Sequence, residues 1–262
     1  MFTINPFSEL SGLISPIVMQ VYIIAMILLV VGGTLLDTIH KKSAQYFFEN
    51  AEKAKKDATR TVSGGEKASI AIKTVAEDVL TSAEFCNQRR RVAHLLTMYG
   101  FIMFAATTAI MIFGYAESAT PAILPLLWHL GALMLCVGGY WFWFFIRVDV
   151  AAEGNPWYRV MRADLFVLSL LATATFALIW SALQAADIAI WSTLFFCLFI
   201  FSATVLFGGV LWSKFAHMFF KPAAAFQKRV AEADGSRDRL PEPADKPEQF
   251  GLGIKRLRPK NY

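Results

Sequence analysis

The sequence predicts an all-α integral membrane protein: five transmembrane helices in a bundle, a helical insertion between the first two, and a tail after the last. Three observations carry that prediction. Of 262 residues, 56% are hydrophobic and only 17% charged, with a mean hydropathy of +0.48, a balance foreign to ordinary water-soluble domains. Five apolar stretches are long enough to cross a bilayer, which takes about 20 helical residues. The basic residues, finally, avoid whole segments of the chain.

The first span runs from Pro16 to Leu36. Only Glu9 is charged before it, and it continues into Lys41 and Lys42 rather than a cleavage site, so it reads as a retained span and not a signal peptide. The insertion, residues 38–91, is rich in Ala, Lys and Glu. Helix is expected to continue from the first span through Lys56, to break at Ser63, Gly64 and Gly65, and to resume where Ile72, Val75, Val79 and Leu80 recur at helical spacing. That pattern predicts a cytoplasmic helical hairpin. The second span, Val92 to Tyr115, and the third, Pro121 to Ile146, are joined tightly through AESAT. The fourth, Leu165 to Ala185, turns around Asp187 into the fifth, Ile188 to Trp212. From Pro222 a short helix (AAAFQKRVAEA) ends at Asp234 and Gly235, and the Pro-rich stretch RLPEPADKPEQ should be extended and poorly ordered. The terminal FGLGIKRLRPKNY is read either as a segment that orders on a partner or as a disordered tail. The expected parts are a membrane domain, 1–221, that includes the insertion, and a partly disordered cytoplasmic tail, 222–262.

Orientation follows from charge, because Lys and Arg flanking a span are retained on the cytoplasmic side. The connection from Lys41 to Arg91 holds eleven, the one after the third span three (Arg147, Arg159, Arg162), and the tail from Lys214 eleven, which accounts for all 25. The N-terminus is therefore expected outside and the C-terminus inside a multi-pass protein of the cell's inner membrane. A pI near 9.1 then needs no nucleic acid. Anionic inner-leaflet lipid, and whatever docks there, accounts for it. Cys86, Cys136 and Cys197 lie far apart and form no zinc or iron–sulfur motif.

The four histidines pose the chemical question. His94 follows Arg89–Arg91 about one turn inside the second span, and His217 lies between Lys214 and Lys221 at the inner end of the fifth. Two antiparallel helices would thus bring one imidazole each to a similar depth, as a haem iron with two axial nitrogens requires. An interfacial anchoring role fits the same positions. His40, beside Lys41 and Lys42, reads as interfacial. His129 lies about two turns inside the third span next to Trp128, where it would bond either a quinone carbonyl or a neighbouring backbone carbonyl. Gly131, Gly138 and Gly139 suit close helix packing.

With RRRVAHLLTMYGFIMF opening the second span and GGVLWSKFAHMFFKP closing the fifth, the chain resembles the cytochrome b subunits related to the gamma subunit of respiratory nitrate reductase. RVDVAAEGNPWYR and FGLGIKRLRPKNY bring it nearest to the membrane anchors that accompany dissimilatory adenylylsulfate reductase in sulfur-oxidising bacteria. The resemblance implies a membrane anchor that passes electrons between a cytoplasmic iron–sulfur flavoenzyme, adenylylsulfate reductase, and the quinone pool. It implies one haem b, with His94 and His217 as axial metal ligands. Arg91, Lys214 and Lys221 would pair with its propionates, although lipid headgroups would occupy the same cations. The family carries a second histidine ten residues after the first and another eighteen before the last, where this chain has Phe104 and Phe199. Only the inner haem position survives.

Two other accounts compete: a haem-free docking scaffold for the same enzyme, and a small transporter. Against the transporter stand the lack of a duplicated half and of paired intramembrane charges.

Overall fold

The hydropathy pattern translates directly into helices. The computed structural model describes residues 2–40, 43–83, 85, 87–116, 118–215 and 217–237, with no side chain described for 43–46. Among these residues every regular element is a helix, with no strand. RLPEPADKPEQ and FGLGIKRLRPKNY, the stretches expected to be extended and to order on a partner, lie outside the described residues, as does Cys86.

Five helices are long and apolar enough to cross a membrane: Pro16–His40, Gln88–Gly114, Ile123–Ala151, Arg162–Ala185 and Ala189–Gly208. This is the make-up of a multi-pass membrane protein. Before the first comes α1 (Pro6–Glu9), started by the Asn5 side chain, which accepts the Phe7 N–H, and by Pro6 at the first helical position. The first span is α2 (Pro16–His40), followed by α3 (Ser43–Lys55); the junction at 41 and 42 lies outside the described residues. α4 (Gly64–Thr74) begins at Ser63, whose hydroxyl accepts the Glu66 N–H at 3.2 Å. Gly64 and Gly65 therefore open this helix, and the interruption lies before Ser63 instead. A π-helical turn, Val75–Leu80, extends α4. The second span is α5 (Gln88–Gly114). The third comprises α6 (Ile123–Trp141), a π-helical turn at Phe142–Ile146 and α7 (Val148–Ala151). The fourth is α8 (Leu165–Ala185) and the fifth α9 (Ala189–Gly208), joined by a turn in which Asp187 takes a left-handed φ of 58°.

The fifth span ends four residues earlier than Trp212. The Gly208–Gly209 pair releases the helix into turns, and apolar Val210 and Phe215 are buried there without being helical. α10 (His217–Asp234) then starts before Pro222 and carries it inside, so the expected boundary between 221 and 222 falls within one helix. It stops at Gly235, whose φ of +80° suits a helix C-terminus.

The chain divides into two units: Met1–Asp37 with Val92–Ala216, and Thr38–Arg91 with His217–Tyr262. In the first, α8 packs along α9 and against α6. α5 and α6 approach to backbone contact: a Cβ on Gly131 would lie 2.7 Å from the Phe104 nitrogen, and one on Gly138 2.7 Å from the Ala93 carbonyl. Gly139 admits the Leu171 side chain of α8 in the same way. α2 joins through Tyr22, whose hydroxyl donates to the Ile200 carbonyl at 3.1 Å.

In the second unit α10 packs on α4 and α3. Arg229 of α10 donates from Nε to Asp78 at 2.8 Å and from Nη2 to Glu77 at 2.8 Å. Those two carboxylates raise its pKa. The Thr59 N–H donates to the Asp234 carbonyl at 2.9 Å, and Arg60 Nε to the Ala233 carbonyl at 2.6 Å. The described part of the insertion and α10 are thus one folded body.

Candidate functional site

The membrane unit holds three constellations built by its helices. The first is aromatic. Phe104 of α5 and Phe199 of α9 meet edge to face with ring centroids 6.4 Å apart. Trp128 of α6 lies 5.1 Å from Phe104, and Trp180 of α8 stacks on Phe199 at 5.8 Å. All four rings are buried. Positions 104 and 199 are those at which the resemblance would place the ligands of a second haem. In this chain two hydrocarbon rings close on each other there and two indoles pack around them, so the residues do not fit a porphyrin at that level.

The second constellation is His129. Its ring is almost wholly buried in α6, with Nδ1 2.7 Å from the Pro125 carbonyl and Nε2 2.8 Å from the Ser181 hydroxyl of α8. A carbonyl only accepts, so Nδ1 carries the proton and Nε2 of the neutral ring accepts from Ser181. Both nitrogens are thereby engaged inside the protein, the arrangement expected of a histidine bonded to a neighbouring backbone carbonyl. The N-terminal segment covers this region. Phe7 packs edge-on to Trp128 and Trp180 at 5.9 and 5.3 Å, and Phe2 on His129 at 5.0 Å. Asn5 Nδ2 donates to Thr120 Oγ1 at 3.0 Å, and Gln184 Nε2 to the Pro6 carbonyl at 3.1 Å. An Asn-Pro pair followed by Glu9 is a helix-start signature that could have revealed this plug.

The third is Arg147. Its guanidinium is buried over the Trp143 ring at 3.9 Å and donates to Asp164 at 2.8 Å, the Arg159 carbonyl at 2.8 Å and the Trp157 carbonyl at 3.2 Å. Asp164 in turn accepts the Met161 N–H at 2.9 Å. Counted by charge alone, Arg147 is a topology signal. Its aromatic neighbour one turn back and the acid at the start of the next helix are what distinguish it.

The other predicted residues distribute as follows. His94 lies in the second turn of α5, half-buried, in the membrane unit. His217 is the first residue of α10 and belongs to the second unit rather than to the end of the fifth span. Arg91, also in the second unit, donates from Nε to the Thr81 carbonyl at 2.8 Å. Lys214 is exposed in the turns after α9, and Lys221 is exposed on α10 beside Pro222. His40 ends α2.

No family model, no curated protein and no solved structure matches the chain.

Proposed function

We propose that this multi-pass membrane protein anchors a cytoplasmic iron–sulfur flavoenzyme, by resemblance adenylylsulfate reductase, at the inner membrane of the cell and couples it electronically to the quinone pool. His94 and His217 would hold one haem b on that path, a pairing that rests on the sequence motifs and the resemblance. The observation that carries the reading is the contact of Phe104 with Phe199. The resemblance requires those two positions, 95 residues apart, to face each other across the second and fifth spans, and nothing in hydropathy would bring them together. Their aromatic filling also supports a single haem.

When bound, the haem supplies reversible one-electron chemistry. The chain's own contribution is positional. Lys214 and Lys221 offer cations for carboxylates, as does what remains of Arg91 beyond its bond to Thr81. Trp128 and Trp180 pack with Phe104 and Phe199 as a buried apolar cluster in the bundle. The clustering of all 25 basic residues in three segments supports an outside N-terminus and an inside C-terminus, which puts the second unit where a cytoplasmic enzyme could dock. Oxidation of sulfite and AMP to adenylylsulfate releases two electrons, and the quinone is the exchangeable carrier that would accept them.

A haem-free docking scaffold is the second reading. It is favoured by His129 and Arg91, two of the proposed cofactor-binding residues, already being bonded within the protein. A reduced-minus-oxidised spectrum of the purified chain separates the two. We expect a b-type α band that His94→Ala and His217→Ala each abolish. A preparation that lacks the band under cofactor-preserving conditions, yet still retains a flavoprotein partner, leaves only the scaffold.

A further inference from the structure

We propose that the connection between the third and fourth spans is an interfacial foot, whose edge from Trp157 to Met161 lies in the headgroup layer of the bilayer. The inference does not depend on the redox reading.

The connection is held by the end of its own helix. Arg147 closes the π-helical turn of the third span and binds the carbonyls of Trp157 and Arg159 together with the carboxylate of Asp164. Residues 157–161 are therefore tied to the ends of spans three and four and cannot project far from them. On this tethered segment four apolar or aromatic side chains, Trp157, Tyr158, Val160 and Met161, are exposed, Tyr158 to 68%, with the cation of Arg159 among them. A water-facing loop has no use for such a patch.

Two further observations select lipid as the occupant. The exposed rings continue an existing lipid-facing row without interruption. Tyr140 stacks on Phe144 at 6.1 Å, Phe144 meets Trp157 at 5.4 Å, and Trp157 meets Tyr158 at 5.7 Å. Tyr140 and Phe144 are themselves exposed on the perimeter of a membrane-crossing segment, with Phe145 beside them. Whatever covers the flank of the third span reaches the loop. The loop's charges are also internally matched, since Asp149 and Glu153 both lie 3.9 Å from Arg159. The acids are thus partly neutralised before they meet anionic headgroups. Trp and Tyr, with an apolar body and a polar tip, favour the headgroup level.

The test uses the full chain in vesicles of phosphatidylcholine and phosphatidylglycerol. Subtracting the emission of Trp157→Phe from that of the unmodified chain isolates Trp157. Bromines placed near the headgroup end of the acyl chains should quench this signal most, and its emission should be shifted to the blue of a water-exposed indole. In parallel, Tyr158→Cys is spin-labelled in a background where Cys86, Cys136 and Cys197 are serine. The label should be relaxed by oxygen and shielded from a water-soluble nickel chelate. Access of the chelate equal to that at a Lys73→Cys label in the second unit would overturn the proposal. So would shielding from both oxygen and chelate, which would assign the edge to a protein contact. If the labelled variant does not insert, an unquenched Trp157 difference signal overturns the proposal by itself.

Discussion

The two units of this chain are held together by opposite means. In the membrane unit, small residues, buried aromatic rings and uncharged hydrogen bonds make most of the described contacts between spans, and the Arg147–Asp164 ion pair joins the third to the fourth. Gly100, Gly131 and Gly138 bring α5 and α6 to backbone contact, and His129–Ser181 and Tyr22–Ile200 bridge others. Hydroxyls such as Thr107, Thr173 and Ser202 return to the carbonyl of the preceding turn. In the second unit, charge joins the elements, through Arg229 with Asp78 and Glu77, and Arg60 with Glu66, while Ile72 and Val75 of the expected apolar stripe stay exposed. The contrast shows how solvent selects the glue. Lipid gives helices no hydrophobic reason to associate, so association needs close packing and internal polar partners. A short, charge-rich segment has little apolar surface to bury and relies on ion pairs, which are worth most when several share one site.

The sharpest way to break this contrast is Gly131→Leu. A side chain there meets the α5 backbone, which cannot swing aside, so we expect a loss of about 3 kcal/mol or more, the upper end for overpacking. It should be read as loss of monodisperse protein and a lowered unfolding midpoint in detergent. Arg229→Ala should cost about 2 kcal/mol, the scale of charge-assisted hydrogen bonds, and only in the second unit. Limited proteolysis should then cut around Val75–Leu80 and within α10 while the spans remain intact. Ser181→Ala leaves His129 Nε2 without its donor and should cost about 0.6–1 kcal/mol, typical of hydrogen bonds within membranes, seen as a small shift in the thermal midpoint. The smallest effect is acid sensitivity. Arg60 holds the Glu66 carboxyl below its ordinary value, so this pair stabilises the fold above the unfolded-state pKa and the contribution fades as pH falls through the lowered one. Because Arg60 is exposed and Glu66 only half-buried, a pH titration of proteolytic sensitivity should show only a slight loss there, and Glu66→Gln should remove it.

What was legible in the sequence follows the same division. Span number and the approximate place of each span could be read, because crossing a bilayer imposes length and hydropathy locally. The end of the fifth span could not, since Val210 and Phe215 are apolar for packing rather than for helix. Phe104 and Phe199 could be chosen by their place in a motif, but their meeting is a tertiary fact. The start of α10 was masked by Pro222, which usually marks a boundary and here lies inside the helix. Arg147 looked like any cytoplasmic cation because its partners, Asp164 and two carbonyls, converge only when the loop folds. Likewise the spacing of Ile72 and Val75 marked a helix without showing that both would stay exposed.

The bond from Tyr22 to the Ile200 carbonyl joins residues 178 apart in the chain. At a synthesis rate of roughly 5–20 residues per second, the first span leaves the ribosome some 10–35 s before its partner exists. During that wait its described side-chain partner among the spans is the second, through Gln20 Nε2 donating to the Ile112 carbonyl at 3.2 Å. Its make-up suits the delay: it is the most hydropathic of the five, at 2.3, and only 11% of it is buried in the finished bundle. Docking of the first span on the fifth is therefore a late step of biogenesis, and a nascent chain stalled before the fifth span should carry a stably inserted first helix that lacks this contact.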